Sequence, residues 1–206
     1  MIHKTKIDSI AKEHGFIVQN GVYFRIVNDV VQGFQRHKGI HFATYPIYDP
    51  WSNLYKFSFE RRPISFLSPE NSRQMVKSSV DQLKYNLLPY FQKYNSCVKC
   101  LADLPELAGN KNCMENVYFS LAGGEISTAI SILESMIKQR ISAYDRNLQV
   151  FSAEQLQPQD RRIREKNQRD QDLIQFLRSS SVKEIEAYLQ QNKAQAEFHL
   201  GYSQFA

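Results

Sequence analysis

Residues 15–48 read GFIVQNGVYFRIVNDVVQGFQRHKGIHFATYPIY and alternate short runs of β-forming residues with turn signals. The predicted turns are Asn20-Gly21, Asn28-Asp29 and Lys38-Gly39. Two-residue hairpin loops require positive φ angles, which Gly, Asn and Asp adopt at little cost. The stretch therefore predicts an antiparallel β-meander in which each turn sets the register of the strands beside it.

This register assigns each side chain to one face of the sheet, because side chains alternate along a strand. The second turn pairs Arg25 with Gln32, and a two-residue third turn pairs Arg36 with His41. One face of the predicted sheet is then apolar and forms the core. It comprises Ile17, Val22, Phe24, Ile26, Val31, Ile40 and Phe42.

The opposite face mixes aromatic side chains with Arg, Gln and His. Such a surface suits the stacking of planar groups or the binding of an anion or a protein. Two alternatives stay open: a solvated face without a partner, and a face that the C-terminal helices cover. The predicted binding residues are Tyr23, Arg25, Gln32, Phe34, Arg36, His41 and Tyr45.

The flanking segments complete an α+β domain over residues 1–108. Helical spacing of apolar residues predicts a helix over residues 2–14, which Gly15 ends. A fifth strand is predicted from Leu54 to Phe59, and a helix from an N-cap at Ser68 to Pro89. The prediction is therefore a meander of about five antiparallel strands backed by helices.

Residues 109–206 are predicted to be α-helical. A helical hairpin is expected over residues 113–148, broken at Gly123-Gly124. Residues 152–172 are the most polar stretch and predict an exposed linker or a solvated helix. Ser181 and Glu184 have the spacing of a capping box that opens a final helix.

Charge and composition limit the classes of function. The 206 residues carry a net charge of +5, and residues 1–68 hold nine Lys and Arg against five Asp and Glu. Nucleic-acid-binding proteins usually cluster basic residues more densely. The sequence shows neither a signal peptide nor a long apolar span, and its three cysteines are typical of a reducing compartment. These features predict a cytoplasmic protein without a membrane partner.

No catalytic or metal-binding constellation emerges from the motifs. Cys97, Cys100 and Cys113 lack a fourth ligand until His199, so Cys97 and Cys100 are interpreted as small apolar residues on one helix face. The pairing above directs His37 and His41 to opposite faces, which disfavours a joint role. The prediction is a protein without metal or cofactor and more typical of a binding protein than of an enzyme.

Several turn and strand residues of the N-terminal half, from Gly15 through Tyr23 and Arg25 to Phe42, and the segment LLPYFQKYNSCVKCLADL, resemble those of a bacterial family known as domain of unknown function 4304. The similarity lies in turn glycines, strand residues and a Pro-aromatic segment, and it covers roughly residues 5–108. The family implies no catalytic residues, but proteins of this general kind occur near toxin genes, which implies an immunity role. The similar residues are Gly15, Phe16, Gly21, Tyr23, Phe24, Arg25, Asp29, Val31, Gln32, Gly39, Ile40 and Phe42, with the segment LLPYFQKYNSCVKCLADL.

The sequence thus favours a bacterial protein-interaction module that binds a protein partner through the open sheet face. One alternative is an enzyme that acts on a small anionic substrate in a cleft between the sheet and the helical half. Another is the binding of single-stranded nucleic acid, in which Tyr23 and Phe34 stack on bases beside Arg25 and Arg36.

Overall fold

The computed structural model describes residues 2–36, 40–50, 62–63, 78–103 and 112–201. Residues 1–100 and 191–206 form one compact unit, and residues 101–190 form a second unit. The boundary that the sequence suggested between residues 108 and 109 lies outside the described residues.

The first unit contains the predicted antiparallel meander, and the α+β fold class is confirmed. Its strands lie in sequence order in the sheet, and each pairs antiparallel with the next. The predicted strand from Leu54 to Phe59 lies outside the described residues. The elements are α1 (Ile2–Glu13), β1 (Ile17–Gln19), β2 (Val22–Val27), β3 (Val30–Arg36), β4 (Ile40–Pro46) and β5 (Arg62–Pro63).

The first two hairpins have the predicted register. Val18 pairs with Tyr23 around the first turn, and Arg25 pairs with Gln32 around the second. Asn20 and Asn28 adopt φ angles of 51° and 55°, the left-handed conformation that Asn tolerates better than most residues. The turn residues therefore encode these two registers, as the sequence predicted.

The predicted register of the third hairpin is wrong by one residue. Arg36 pairs with Ile40, and His41 pairs with Gln35 rather than with Arg36. Three residues, 37–39, separate the strands instead of two, and they lie outside the described residues. A shift by one residue moves every side chain of β4 to the opposite face. His41 and Tyr45 therefore do not share the face of Tyr23.

Both faces of the sheet are buried. One face packs against α1 and a later helix, α2 (residues 79–93), and contains Tyr23, Phe34 and Phe42. The other face contains Val22, Phe24, Val31 and Tyr45, and it packs against Ala196 and Leu200 from the C-terminal end of the chain. The sheet therefore has a helical layer on each side, rather than one core face and one open face.

Helix α2 contains a π-helical turn just before its proline. It begins after Ser78, whose hydroxyl oxygen accepts a hydrogen bond from the backbone N–H of Asp81. The π-helical segment Leu83–Leu87 then leads into Leu88–Lys93, and the Leu88 N–H donates to the carbonyl oxygen of Leu83. Such a wide turn accommodates Pro89, which has no N–H to donate. The predicted N-cap at Ser68 lies outside the described residues.

The helical hairpin predicted over residues 113–148 is confirmed, and residues 153–172 of the polar stretch are helical. Gly123 and Gly124 separate the first two helices of the second unit. The Ser181 hydroxyl oxygen accepts from the Glu184 N–H, and the Glu184 carboxylate accepts from the Ser181 N–H, as a capping box requires. Among the described helices, none is both long and apolar enough to cross a membrane. The helices are α3 (Cys97–Ala102), α4 (Met114–Ala122), α5 (Ile126–Leu148), α6 (Ala153–Ser179) and α7 (Val182–His199).

Candidate functional site

The seven predicted binding residues do not form one open surface. Tyr23, Gln32 and Phe34 are buried beneath α1 and α2, and Arg25 lies half-buried beside them. Tyr45 is buried in the core on the opposite face. The predicted open face is therefore wrong, because helices cover both sides of the sheet. Four of the seven are buried, two are partly buried and one is exposed: respectively Tyr23, Gln32, Phe34 and Tyr45; Arg25 and His41; and Arg36.

Gln32 connects the sheet to the end of α2. Its Nε2 donates to the carbonyl oxygens of Phe91 and Tyr94, at 2.6 Å and 2.9 Å. Its Oε1 accepts from Nε of Arg25 at 3.0 Å. The last carbonyl groups of a helix have no partner within that helix. Gln32 supplies that partner in the core, which is a structural role.

Arg25 connects the sheet to the end of α1. Its Nη1 donates to the carbonyl oxygen of His14 at 2.6 Å, and its guanidinium carbon lies 4.5 Å from the centre of the Phe16 ring. Burial lowers the pKa of Arg25. With two hydrogen-bond acceptors and an aromatic ring already engaged, this guanidinium holds the fold together.

Tyr23 and Phe34 stack on each other inside the core. Their ring centres are 4.6 Å apart and their planes differ by 3°. The Tyr23 hydroxyl donates to Oδ1 of Asp8 on α1 at 2.5 Å. Burial, and then the Asp8 carboxylate, raises the pKa of Tyr23 to about 12. Neither ring is available to a base without opening this core.

Asp29 forms two hydrogen bonds with Cys97, at the start of α3. Its Oδ1 accepts from the Cys97 N–H at 2.8 Å, and its carbonyl oxygen accepts from the Cys97 thiol at 3.2 Å. Burial, and then the Asp29 charge, raises the pKa of Cys97 well above its usual range. Cys97 and Cys100 are both buried, as expected for small apolar residues on one helix face. No group of three potential His, Cys, Asp or Glu metal ligands occurs in the part of the chain that the structure describes.

The second unit exposes a group of large apolar side chains at the end of α5. Ile141 is 47% exposed, Leu148 is 43% exposed, and Val150 and Phe151 in the following turn are 76% and 50% exposed. The turn is hydrogen-bonded to the helix, since the Phe151 N–H donates to the Asn147 carbonyl oxygen at 2.9 Å. These side chains therefore belong to a helix and to a turn that is hydrogen-bonded to that helix.

Ile141, Leu148 and Phe151 belong to one of two apolar stripes along α5 and the turn that follows it. The inner stripe has the buried residues Ala129 and Leu133 and reaches Arg140, which forms an ion pair with Asp170 of α6. The other stripe lies one residue further along the chain, and therefore about 100° around the helix. We name it the outer stripe; it comprises Ile137, Ile141, Tyr144, Leu148 and Phe151, with the alternating spacing of four and three residues.

A groove lies between α5 and α6 at the start of the outer stripe. Its volume is about 800 Å³. An ion pair between Glu134 and Arg178, 2.7 Å long, connects the two helices there. Ile137 and Ile174 are the apolar lining residues and the others are polar, so the groove favours an occupant with both apolar and polar groups. The groove is lined by Glu134, Ile137, Lys138, Gln171, Ile174, Gln175, Arg178 and Ser179.

The densest basic run of the sequence is locally neutralised on α6. Arg161 forms an ion pair with Glu165 at 2.9 Å, and Arg164 forms one with Asp160 at 2.7 Å. Such pairs along one exposed helix face are typical of a solvated helix. Basic side chains paired in this way are poorly placed to neutralise a row of phosphates.

No protein-family model, no curated protein and no solved structure matches the chain. The resemblance to the domain of unknown function 4304 family therefore stays a prediction. The sequence predicted a helical hairpin here, but the two stripes on its second helix were not distinguished. The continuing spacing through Tyr144, Leu148 and Phe151 was the signal that would have separated the two.

Proposed function

We propose that the chain is a non-enzymatic protein-interaction module that binds its partner through the outer stripe. The observation that carries this proposal is the exposure of Ile141, Leu148 and Phe151 along one line of α5 and its turn. Single exposed apolar residues are common on protein surfaces, but a continuous exposed apolar patch marks an interaction site. We place the interaction in the bacterial cytoplasm, where an immunity role toward a toxin is one use of such a module.

The spacing of the outer stripe favours a helix as the binding element. Alternating intervals of three and four residues bring apolar side chains to one side of a helix, where a second helix packs between them. The groove beside Ile137 continues the surface onto α6. An amphipathic helix that lies along α5 would bury the exposed parts of Ile141 and Leu148 together.

The two alternative functions lose the residues on which they depended. Base stacking was assigned to Tyr23 and Phe34, which are buried and stack on each other. Anion binding was assigned in part to Arg25, which is committed to the His14 carbonyl oxygen and to Gln32. These contacts favour a binding protein that does not use its sheet.

Site-specific photocrosslinking in the native cell tests the proposal. A photoreactive amino acid replaces Leu148 in one strain and Val182, which is 64% exposed on α7, in a control strain. We expect a discrete protein adduct from position 148, its loss when Ile141→Ser is added, and none from position 182. No adduct from position 148, or the same adducts from both positions, would contradict the proposal.

A further inference from the structure

We propose that the occupant of the outer stripe is the outer stripe of a second copy of this chain, packed antiparallel to it. This inference rests on the proposed function and names its partner. A two-fold axis crosses α5 between Ile141 and Tyr144, so that every contact occurs twice. The spacing of the stripe and the charges beside it support this pairing.

The stripe is complementary to itself when two copies run in opposite directions. Ile141 of one copy then lies opposite Tyr144 of the other, and Ile137 lies opposite Leu148. One layer pairs the smaller Ile141 with the larger Tyr144, and the other pairs Ile137 with Leu148. Side chains of these sizes can interdigitate between two helices. The apolar layers extend from residue 137 to residue 148, about 17 Å at the helical rise of 1.5 Å per residue. Glu134 ends the apolar run at one side.

The charges beside the stripe are also complementary to themselves. Lys138 and Asp145 are exposed and lie seven residues apart, so they stand on the same flank of the stripe. Neither forms an ion pair with any residue in the described ranges. In the antiparallel pair, Lys138 of each copy lies within about 3 Å along the axis of Asp145 of the other. Two intermolecular ion pairs follow from a single surface, which favours a second copy over an unrelated partner.

The pairing leaves the internal contacts of the helical unit intact. The inner stripe, with Leu133 and Arg140, points about 100° away from the outer stripe. The ion pair between Arg140 and Asp170 therefore does not need to open. Within the chain, α5 packs against α4 and α6. The outer stripe would add α5 of the second copy as a further neighbour, as in a helix bundle.

Sedimentation velocity of the purified full chain tests the pairing. We expect a species of twice the 24.0 kDa monomer mass as concentration rises through the micromolar range. Leu148→Glu should raise the dimer dissociation constant at least tenfold, while Val182→Glu, at a more exposed apolar residue on α7, should leave it unchanged. A wild-type chain that stays monomeric, or a dimer that both variants affect alike, overturns the inference.

A charge exchange identifies the antiparallel arrangement. Lys138→Asp and Asp145→Lys should each weaken the dimer about tenfold, because each places two pairs of like charges across the interface. The double variant K138D/D145K should restore the wild-type affinity, since both intermolecular ion pairs return with reversed sign. No rescue in the double variant overturns the antiparallel pairing.

The two proposals fail separately. If the purified chain is monomeric while position 148 still crosslinks to a different protein, the self-pairing is wrong and the interaction module stands. If the chain is monomeric and position 148 gives no adduct, both are wrong. An adduct of position 148 with the mass of two copies supports both.

Discussion

The side-chain amide of Gln32, on the central strand β3, donates a hydrogen bond of 2.6 Å to the carbonyl oxygen of Phe91 in α2. The two residues are 59 positions apart in the chain, and the contact is fully buried. A glutamine that the sequence suggests for ligand binding therefore serves as the cap of a helix. Its loss should be measured in stability rather than in binding.

Gln32→Leu should lower the free energy of unfolding by about 3 kcal/mol, because it removes the amide donor to two buried carbonyl oxygens and the acceptor of Nε of Arg25. Leucine has a similar volume, so that the lost hydrogen bonds dominate. Urea unfolding followed by circular dichroism gives the difference. The exposed Gln159→Leu on α6 is the matched control, with an expected change within about 0.5 kcal/mol. Equal stability of the two variants would contradict the capping role.

Tyr23 should make the stability of the first unit depend on alkaline pH. Its pKa is raised to about 12 in the folded chain, against about 10 in an unfolded chain. The folded state therefore holds this proton more tightly. The contribution is complete below pH 10 and is lost as the pH rises toward 12.

Unfolding measured at pH 9 and pH 11 tests this dependence. Tyr23→Phe should reduce the alkaline loss of stability, because the ionising group is gone. Tyr85→Phe, at a tyrosine that is exposed on α2, should leave the loss unchanged. If the two variants show the same alkaline loss as the wild type, Tyr23 does not carry it.

The three cysteines should differ strongly in their reaction with a thiol reagent. Cys97 and Cys100 are buried, and burial with the nearby Asp29 raises the pKa of Cys97, whereas Cys113 is half-buried. Because the thiolate is the reactive form, native protein should show one fast thiol and two slow thiols. Cys113→Ser should remove the fast phase and leave the slow phases. Two fast thiols in the native protein would show that the surroundings of Cys97 open readily.

The turn residues show how far the sequence determines this sheet. Asn20 and Asn28 adopt positive φ angles in short turns, so their positions define the first two registers. The third turn has no such determinant, and β4 has large buried side chains on both faces, Ile40 and Phe42 on one and Tyr45 on the other. Alternation of apolar and polar residues then disappears, and a loop of two residues cannot be distinguished from one of three.

The candidate site was harder to predict for a related reason. Whether a strand is open or covered by a helix depends on contacts between residues that are distant in the sequence. Examples are the contacts of Tyr23 with Asp8 and of Gln32 with Phe91. Local patterns contain no such information. The outer stripe, in contrast, is a local periodicity on α5, and its spacing is legible in the sequence once two stripes are separated.

Removing one partner of the ion pair between Arg140 and Asp170 should destabilise the fold more than removing both partners. The Asp170 side chain is 1% exposed and that of Arg140 is 20% exposed, on the facing helices α5 and α6. Arg140→Met leaves a buried carboxylate whose remaining ion-pair partner among the described residues is Arg169, at 3.9 Å. We expect a loss of about 3 kcal/mol in the free energy of unfolding.

Replacing both partners should cost less than replacing one. Arg140→Met with Asp170→Leu removes the buried charge together with its partner, and two apolar side chains then continue the inner stripe between α5 and α6. Urea unfolding of the wild type, both single variants and the double variant completes the cycle. The exposed pair of Arg161 and Glu165 is the control, and Arg161→Met should leave the unfolding curve unchanged, because solvent screens exposed ion pairs. A double variant as unstable as the sum of the singles would mean that the two side chains act independently.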